Sequence, residues 1–426
     1  MCVAALVYLA AGQVLKLDHA SSRPVTAVLL GLVLGIGYLA KAAMFPLGLA
    51  CIALAVLMRG GGLGRGARLG LALTVFLLVS APWVAVVSKS VGHLAFSDVG
   101  RFTYLKHVNQ MPWPQWQEAA ERIAGTPLHP ARKIHDDPPV WEFATPIGGT
   151  YPLAYDPAWW TRGLEPKVEP REQLGVLAGS AIYYFDLFVR LQGGFLAVLA
   201  LLLVLSARKW SGLLVLHGPG VLVLWSLAAF GMYGLVFVEG RYIAPFVLVF
   251  WSGLLTMVRL PVSEPSARIT AVGGVLLALL AWLNIGAQNL EGLAGVAGFS
   301  PPPREGVVGA AGGRSLSDGS KVRHAEIAEA LQRLGLKPGD RVAFVGYSYS
   351  AYWARLARLK IVAEVRPEDI QSYVAANPEN TEEVRSVLSR IGVRAIVAEP
   401  FETASSFEGS QRLGQTGYSV ILVVRQ

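Results

Sequence analysis

Two blocks of apolar sequence, residues 1–87 and 193–290, flank a polar interval at residues 88–192. A helix that crosses a bilayer needs about 20 apolar residues, and fewer where helices lie inside a bundle. The two blocks therefore predict eight membrane spans, at residues 1–17, 24–42, 45–59, 67–87, 193–207, 212–236, 242–259 and 268–289. The whole chain is 15% charged, whereas a soluble domain carries about 25% charged residues, so we expect an integral membrane protein.

The sequence begins inside the first predicted span. Its opening residues, Met1-Cys-Val-Ala-Ala-Leu, include no basic residue, and no cleavage site follows them. These are not the features of a signal peptide. We therefore expect a further amino-terminal part of the protein to precede Met1.

Basic residues at the ends of membrane spans set the orientation of the chain. In the eight-span arrangement these residues fall on one side, which is predicted to be cytoplasmic: Lys16, Arg23, Arg59, Arg65, Arg68, Arg208, Lys209, Arg259 and Arg268. The interval 88–192 and the chain after residue 290 then lie outside. The predicted location is a bacterial inner membrane, with both polar regions on the periplasmic side.

The charge distribution argues against a nucleic-acid partner, and the cysteine content argues against disulfides and cysteine-based metal sites. The net charge of +8 is spread over the span ends and forms no basic run, so no nucleic-acid partner is expected. Cys2 and Cys51 both lie in apolar stretches. A disulfide framework and a cysteine-based metal site are therefore not expected.

The end of the polar interval has the periodicity of an amphipathic helix. Apolar residues recur at helical spacing from Arg171 to Arg190, with several aromatic residues among them. We interpret this segment as a helix that lies in the membrane interface. The alternative is an early start to the next span, in which Asp186 and Arg190 would be costly inside the bilayer.

The chain after the last span changes composition. A Pro/Gly-rich linker at residues 291–320 leads to alternating helix and strand patterns, with strands predicted at 341–346, 361–365, 393–398 and 418–424. This alternation predicts a small α/β domain with a mainly parallel sheet at residues 321–426. Gly346-Tyr-Ser-Tyr-Ser lacks the spacing of a dinucleotide-binding loop, so we interpret the domain as an accessory or recognition module.

These patterns together predict a multi-span α-helical membrane protein with a long external loop and a small carboxy-terminal α/β domain. The predicted divisions are membrane helices at 1–87, the external loop with its interfacial helix at 88–192, further membrane helices at 193–290, the linker at 291–320 and the α/β domain at 321–426.

Two cations are predicted at outer turns of the membrane region. Lys41 lies between two spans, where its side chain either extends to the interface or binds a lipid-borne phosphate. Arg241 lies in Glu239-Gly-Arg-Tyr242, where an ion pair with Glu239 would close a tight hairpin. The guanidinium also suits bidentate contact with phosphate. Since both residues are predicted on one side of the membrane, an anionic headgroup is a plausible ligand.

The polar interval contains five of the eleven tryptophans, with carboxylates close to them in sequence. Aromatic faces beside carboxylates are typical of sugar sites, and a carboxylate can serve as general base for an acceptor hydroxyl. The candidates are Asp136, Asp137, Glu142 and Asp156, although each is more often a solvated or turn-forming residue. His107, His129 and His135 have no metal-binding spacing. A divalent metal held by carboxylates stays open, and no other cofactor is expected.

Several short segments resemble one enzyme family. Gly31-Leu-Val-Leu-Gly-Ile-Gly-Tyr-Leu-Ala-Lys41, followed by Pro46-Leu-Gly-Leu-Ala, is similar to the helix-break segment of GT-C glycosyltransferases. That family includes aminoarabinose–lipid A transferases and protein O-mannosyltransferases, which use polyprenyl-phosphate-linked sugars. Ala81-Pro-Trp83, Phe102 to Gln110 and Glu239-Gly-Arg-Tyr-Ile-Ala-Pro245 also resemble the family. The resemblance covers about residues 25–290.

The resemblance implies an active site at the outer face, under the long loop. In the family, the lysine that matches Lys41 contacts the lipid phosphate of the donor, and Arg241 is the second candidate for this contact. The substrate-loop candidates are Glu239, Tyr242, His107, Trp141 and Tyr151. The family also places an essential acidic residue in its first external loop. This chain has no such loop, so the catalytic base is expected in the part that precedes Met1.

The sequence therefore predicts a glycosyltransferase that moves a sugar from a polyprenyl-phosphate donor to an envelope acceptor on the external face. Without the missing acidic residue, such a chain would be inactive. The main alternative is a non-catalytic, membrane-anchored envelope scaffold. A transporter is less expected, because it would have charged or broken helices at mid-membrane and paired halves.

Overall fold

The computed structural model describes eleven stretches of the chain: residues 2–17, 23–56, 63–111, 115–117, 123–147, 158–205, 218–258, 272–276, 279, 324–400 and 409–423. The chain forms two compact units, each made of two separate stretches. Unit 1 consists of Met1–Ser97 and Pro170–Asp318, and unit 2 of Asp98–Glu169 and Gly319–Gln426.

Unit 1 is built from apolar helices. They are α1 (Cys2–Leu17), α2 (Pro24–Ala40), α3 (Met44–Val56), α4 (Leu63–Val91), α6 (Pro170–Phe185), α7 (Gly193–Leu205), α8 (Gly218–Gly234) and α9 (Gly240–Met257). Among the described residues, three segments are long and apolar enough to cross a membrane: Gly66–Val91, Pro170–Leu191 and Gly240–Met257. Seven of the eight predicted spans overlap one of the helices of unit 1. The eighth, at 268–289, falls for the most part outside the described residues.

Close contact between α2 and α4 depends on glycine. A Cβ added at Gly31 would lie 2.3 Å from the backbone oxygen of Ala72, and one at Gly35 would lie 2.7 Å from the Cβ of Val79. Small residues let two membrane helices approach each other closely, because packing rather than hydrophobicity holds such helices together. The contact buries Leu34 and Phe76 completely.

Gly31→Ala should lower the thermal stability of the full chain in detergent, by about 1–3 kcal/mol, because the backbone oxygen of Ala72 would have to move. Gly12 is the matched control, since a Cβ there would meet nothing within 4 Å. Gly12→Ala should leave the melting temperature unchanged or raise it slightly. Equal stability of the two variants would show that the close approach of α2 and α4 is not required.

The segment predicted as an interfacial helix packs along unit 1 instead. Helix α6 continues into a π-helical stretch, Asp186–Leu191. The Ser180 hydroxyl donates to the backbone oxygen of Gly234 at 2.8 Å. Further along, the ring of Phe188 lies 5.5 Å from that of Phe250.

These contacts favour the alternative, an early start to the next span. Asp186 and Arg190 pair with each other at 3.0 Å, which lowers the cost of the two charges that argued against it. The polar interval is therefore shorter than the sequence predicted, because its last part belongs to the helical unit.

The described strands of unit 2 are β1 (Ala124–Gly125), β2 (Ala131–Asp136), β3 (Pro139–Ile147), β4 (Leu164–Glu165), β5 (Arg341–Val345), β6 (Lys360–Val365), β7 (Val393–Ala398), β8 (Gln411–Arg412) and β9 (Ser419–Leu422). Seven of them form a sheet in the order β2-β3-β6-β5-β7-β9-β8, and β1 pairs separately with β4. The helices are α5 (Val99–His107), α10 (His324–Arg333), α11 (Tyr352–Leu356), α12 (Ile370–Ala375) and α13 (Pro378–Arg390). Strands β6, β5 and β7 are parallel, and the outer pairs are antiparallel.

The sheet corrects the predicted division into domains. Strand β3, from the polar interval, pairs with β6 of the carboxy-terminal region, with Trp141 opposite Glu364. The interval 98–169, here called the insert, is therefore not a separate external loop. It contributes the hairpin β2–β3 to the same unit as the α/β region.

Tryptophans of the insert form part of the core of unit 2. Trp116 and Trp160 are each 1% exposed and pack in one cluster with Phe143, Phe344 and Trp353. Trp141 and Trp159 are half-buried against the same cluster. Burial of large aromatic side chains dominates the stability of such a core. The prediction that these residues form a sugar-stacking surface is therefore wrong for Trp116 and Trp160.

Candidate functional site

The break between α2 and α3 places Lys41 at a helix end. Helix α2 stops at Ala40, and Lys41 has an extended backbone with φ −156° and ψ 122°. Its N–H still donates to the oxygen of Gly37 at 2.9 Å, and its own oxygen accepts from the N–H of Met44 at 2.9 Å. These bonds fix the position of the Lys41 backbone while its side chain leaves the helix.

The Lys41 ammonium lies over aromatic rings from two other helices. Its Nζ is 3.2 Å from the ring centroid of Tyr242 and 5.6 Å from that of Tyr233. The two rings stack, with centroids 5.7 Å apart and an interplanar angle of 27°. A cation over the face of an aromatic ring is attracted by the negative charge of that face.

Arg241 contacts the same ring of Tyr242. Its Cζ lies 5.1 Å from the ring centroid, and its Nε donates to Glu239 Oε1 at 2.7 Å. The Arg241 side chain is 72% exposed, so part of its N–H fork faces outward. Glu239 precedes the first residue of α9 and offsets part of the positive charge. Lys41, Arg241, Glu239, Tyr233 and Tyr242 are called the cation cluster below.

The cation cluster can bind an anion. It combines two cations, the exposed donors of Arg241 and the amino terminus of α9, which favours negative charge. A phosphate matches the fork of a guanidinium and the point charge of an ammonium. Glu239 would compete with that phosphate for Arg241.

The candidate carboxylates of the insert have separate partners. Glu142 pairs with Arg132 across the hairpin at 2.5 Å. Asp137 accepts from the Ser372 hydroxyl at 3.1 Å, and its backbone oxygen accepts from Asn380. Asp136 is 95% exposed, with Lys133 3.9 Å away. The structure does not bring these carboxylates together, and their contacts are those of residues that hold a hairpin and its neighbours.

The remaining candidates lie in different places. Trp141 is half-buried, with the guanidinium of Arg366 5.4 Å from its ring. His107 ends α5, and burial together with Lys106 lowers its pKa to about 4, so it is neutral at pH 7. Tyr151 and Asp156 lie outside the described residues.

Within the described stretches of the chain, no group of three or more His, Cys, Asp or Glu side chains could hold a metal ion. The cation cluster has one carboxylate, that of Glu239, and it pairs with Arg241.

Sequence reasoning missed Tyr233 and Glu364. Tyr233 lies one residue before the end of α8, and only the approach of α8 to α9 brings it to Lys41. Glu364 is a fully buried carboxyl in β6, where it accepts from the backbone N–H of Ser348 at 2.7 Å and from Trp116 Nε1 at 3.2 Å. A lone glutamate in the apolar run Lys360-Ile-Val-Ala-Glu-Val365 was the available signal.

Comparison with known proteins gives one structural match. No family model matches the sequence, and no curated protein matches it. The crystal structure of ArnT from Cupriavidus metallidurans bound to undecaprenyl phosphate is 13% identical, covers 99% of this chain and 74% of its own, and has a TM-score of 0.38. A likeness at this identity and TM-score assigns neither a fold nor an activity to this chain.

Proposed function

We propose that this chain is a membrane glycosyltransferase that moves a sugar from a polyprenyl-phosphate donor to an acceptor of the cell envelope. One observation supports the proposal above the others. Lys41 and Arg241 are distant in sequence, and both lie on the ring of Tyr242, at 3.2 Å and 5.1 Å from its centroid. Two cations at adjacent helix ends of a membrane unit suit the phosphate of a lipid-linked donor.

The cation cluster would act on the leaving group. The acceptor hydroxyl or amine would attack the anomeric carbon of the sugar and form a bond to it. The bond from that carbon to the phosphate oxygen would break, and its electron pair would stay, as negative charge, on the departing polyprenyl phosphate. Lys41 and Arg241 would stabilise this charge because they are fixed in place before the reaction. A carboxylate base would take the acceptor proton. The pairs made by Asp137 and Glu142 favour structural roles for them, which leaves this base to be found.

The scaffold alternative has less support. A membrane-anchored scaffold gives no reason for Lys41 and Arg241 to lie on one ring, since two like charges repel each other unless an anion or a carboxylate offsets them. Glu239 offsets part of this repulsion: its Oε1 is 2.7 Å from Arg241 Nε, and its carboxylate is also an electrostatic partner of Lys41. One carboxylate between two cations leaves a net positive charge, which a phosphate ligand would neutralise.

Binding of a polyprenyl monophosphate tests the proposal. The full chain in detergent should bind this lipid, as measured by native mass spectrometry, and should bind the uncharged polyprenol weakly. Lys41→Met and Arg241→Met should each weaken binding by roughly 10- to 100-fold, because each removes a charged contact worth about 1.5–3 kcal/mol. Lys89→Met is the matched control, since Lys89 is an exposed lysine in the last turn of α4.

Two results would contradict the proposal. One is equal binding of polyprenyl phosphate and polyprenol by the unmodified chain. The other is an equal effect of Lys89→Met and Lys41→Met. A transfer assay with a radiolabelled polyprenyl-phosphate sugar and an envelope extract then distinguishes an enzyme from a protein that only binds the lipid.

A further inference from the structure

The stacked rings of Tyr233 and Tyr242 both lie close to the Lys41 ammonium. Tyr242 lies in the first turn of α9 and Tyr233 in the last turn of α8, so their contact spans the turn between the two helices. The Lys41 ammonium is within 6 Å of both ring centroids, at 3.2 Å and 5.6 Å. This is the range in which a ring face attracts a cation.

The two positive charges of the cation cluster, on Lys41 and Arg241, repel each other. Lys41 and Arg241 both approach Tyr242, and a single carboxylate, that of Glu239, attracts them both while its ion pair is with Arg241. Without an attractive surface, the flexible Lys41 side chain would extend away from Arg241. Cation–ring attraction supplies such a surface before any anion is bound.

We propose that Tyr233 is a positioning residue, which together with Tyr242 holds the Lys41 ammonium beside Arg241. Tyr233 acts in two ways. Its ring attracts the ammonium directly, at 5.6 Å, and its stacking at 5.7 Å restricts the ring of Tyr242. The inference rests on the proposed phosphate site, and it identifies the residue that keeps this site assembled when no ligand is bound.

The backbone at Tyr233 has a separate role that does not need its side chain. Its oxygen accepts from the N–H of Val236 at 3.2 Å and from that of Phe237 at 2.8 Å, which forms the turn after α8. Replacement of Tyr233 by another apolar residue therefore preserves the hydrogen bonds of this turn, because the backbone oxygen accepts them. Tyr233→Leu removes the ring and keeps apolar volume, whereas Tyr233→Phe keeps the ring and removes the hydroxyl.

Chemical labelling of Lys41 tests the inference without any ligand. The full chain in nanodiscs is treated with acetic anhydride between pH 6 and 10, and acetylation of Lys41 is measured by mass spectrometry relative to Lys89 in the same molecules. A ring face favours the charged, unreactive form of the amine. Tyr233→Leu should therefore increase Lys41 acetylation by about 2- to 30-fold near neutral pH and shift its pH profile to lower pH. Tyr233→Phe should match the unmodified chain.

A purely structural role for Tyr233 would change the melting temperature and leave the pH profile of Lys41 acetylation in place. An unchanged profile in Tyr233→Leu would overturn the inference, and so would equal shifts in Tyr233→Leu and Tyr233→Phe. Binding of polyprenyl monophosphate, measured on the same variants, reports on the proposed function separately. Failure of the unmodified chain to bind this lipid contradicts the phosphate site, whereas a normal Lys41 profile in Tyr233→Leu contradicts the positioning role.

Discussion

Residues 319–426, produced without the insert, should fail to form a stable folded unit. Without residues 98–169, strand β6 loses its neighbour β3, and the core loses Trp116, Phe143 and Trp160. Each of these aromatic side chains is at least 97% buried in the complete unit. Their loss exposes Phe344 and Trp353, so the shortened unit should aggregate or remain unfolded.

The measurement compares residues 319–426 alone with the same residues co-produced with residues 98–169. Circular dichroism and limited proteolysis should show a cooperative melting transition and a protease-resistant core for the pair, and neither for the single segment. A cooperative transition in residues 319–426 alone would contradict the shared core. It would restore the predicted separation into a loop and an independent domain.

A point substitution tests the same core in the full chain. Trp116→Ala should destabilise unit 2 by about 3–5 kcal/mol, the usual cost of removing a buried tryptophan. Leu128→Ala, at a side chain of the insert that is 67% exposed, should change stability by less than about 0.5 kcal/mol. Proteolysis of unit 2 at increasing temperature reports the difference. Similar effects of the two substitutions would show that Trp116 is not part of the core. They would favour the sugar-stacking surface that the sequence predicted.

Unit 2 should become less stable as the pH rises from 6.5 to about 8. Burial raises the pKa of Glu364 to about 8, with a smaller contribution from the charge of Glu399, and hydrogen bonding to Ser348 and Trp116 only partly opposes this rise. The carboxyl is therefore protonated in the folded state and ionised in the unfolded state between its ordinary pKa of 4.5 and about 8. The stability due to Glu364 is complete below pH 4.5 and is lost as the pH rises through the folded value.

His107 acts in the opposite direction at lower pH. Its pKa falls from 6.5 to about 4 on folding, so the unfolded chain takes up a proton that the folded chain does not, and stability decreases as the pH falls through that range. Between pH 4.5 and 6.5 the two residues offset each other. The effect of Glu364 should therefore be clearest between pH 6.5 and 8, with a slope of about 1.4 kcal/mol per pH unit.

Glu364→Gln tests this effect, because it keeps the shape of the side chain and removes its ionisation. The amide nitrogen cannot accept one of the two hydrogen bonds that the carboxyl oxygens accept, so the variant also has a loss of stability that does not depend on pH. The variant should show no loss of unit 2 stability between pH 6.5 and 8, whereas the unmodified chain should lose stability over the same range. Glu379→Gln, at an exposed glutamate in the first turn of α13, should keep the original profile. Thermal proteolysis at several pH values is the measurement. Parallel profiles for Glu364→Gln and the unmodified chain would show that Glu364 ionises in the folded state without cost.

Local patterns located most elements of the structure. Strands β5, β6 and β7 begin and end within one residue of the predicted strands, because a buried parallel strand appears in the sequence as a continuous apolar run. The hairpin β2–β3 was missed, since its strands carry charged residues and three prolines lie between and within them. Pairing of β3 with β6 leaves no mark in a local pattern, because it depends on contacts between segments far apart in the chain.

The sequence also predicted part of the candidate site, namely the part that depends on local patterns. Charge and turn patterns placed Lys41 and Arg241 on one side of the membrane, and the structure gives both of them a contact with Tyr242. The role of Tyr233 depends on the approach of two helix ends, which periodicity does not report. For Trp116 and Trp160 of the insert, the sequence predicted a functional surface where the structure has a core. An aromatic residue near a carboxylate suits a sugar surface or a core equally well, and only burial separates the two.

The pairing of β3 with β6 also restricts how the chain is threaded through a membrane. Hydrogen-bonded strands lie on one side, so the chain must cross an even number of times between Ile147 and Lys360. Helices α6 and α7 count as one crossing, because the single residue between them, Gln192, leaves no room for a reversal of direction. With one predicted crossing each for α8 and α9, the count up to Met257 would be odd. The span that the sequence predicts at 268–289 would make the total even.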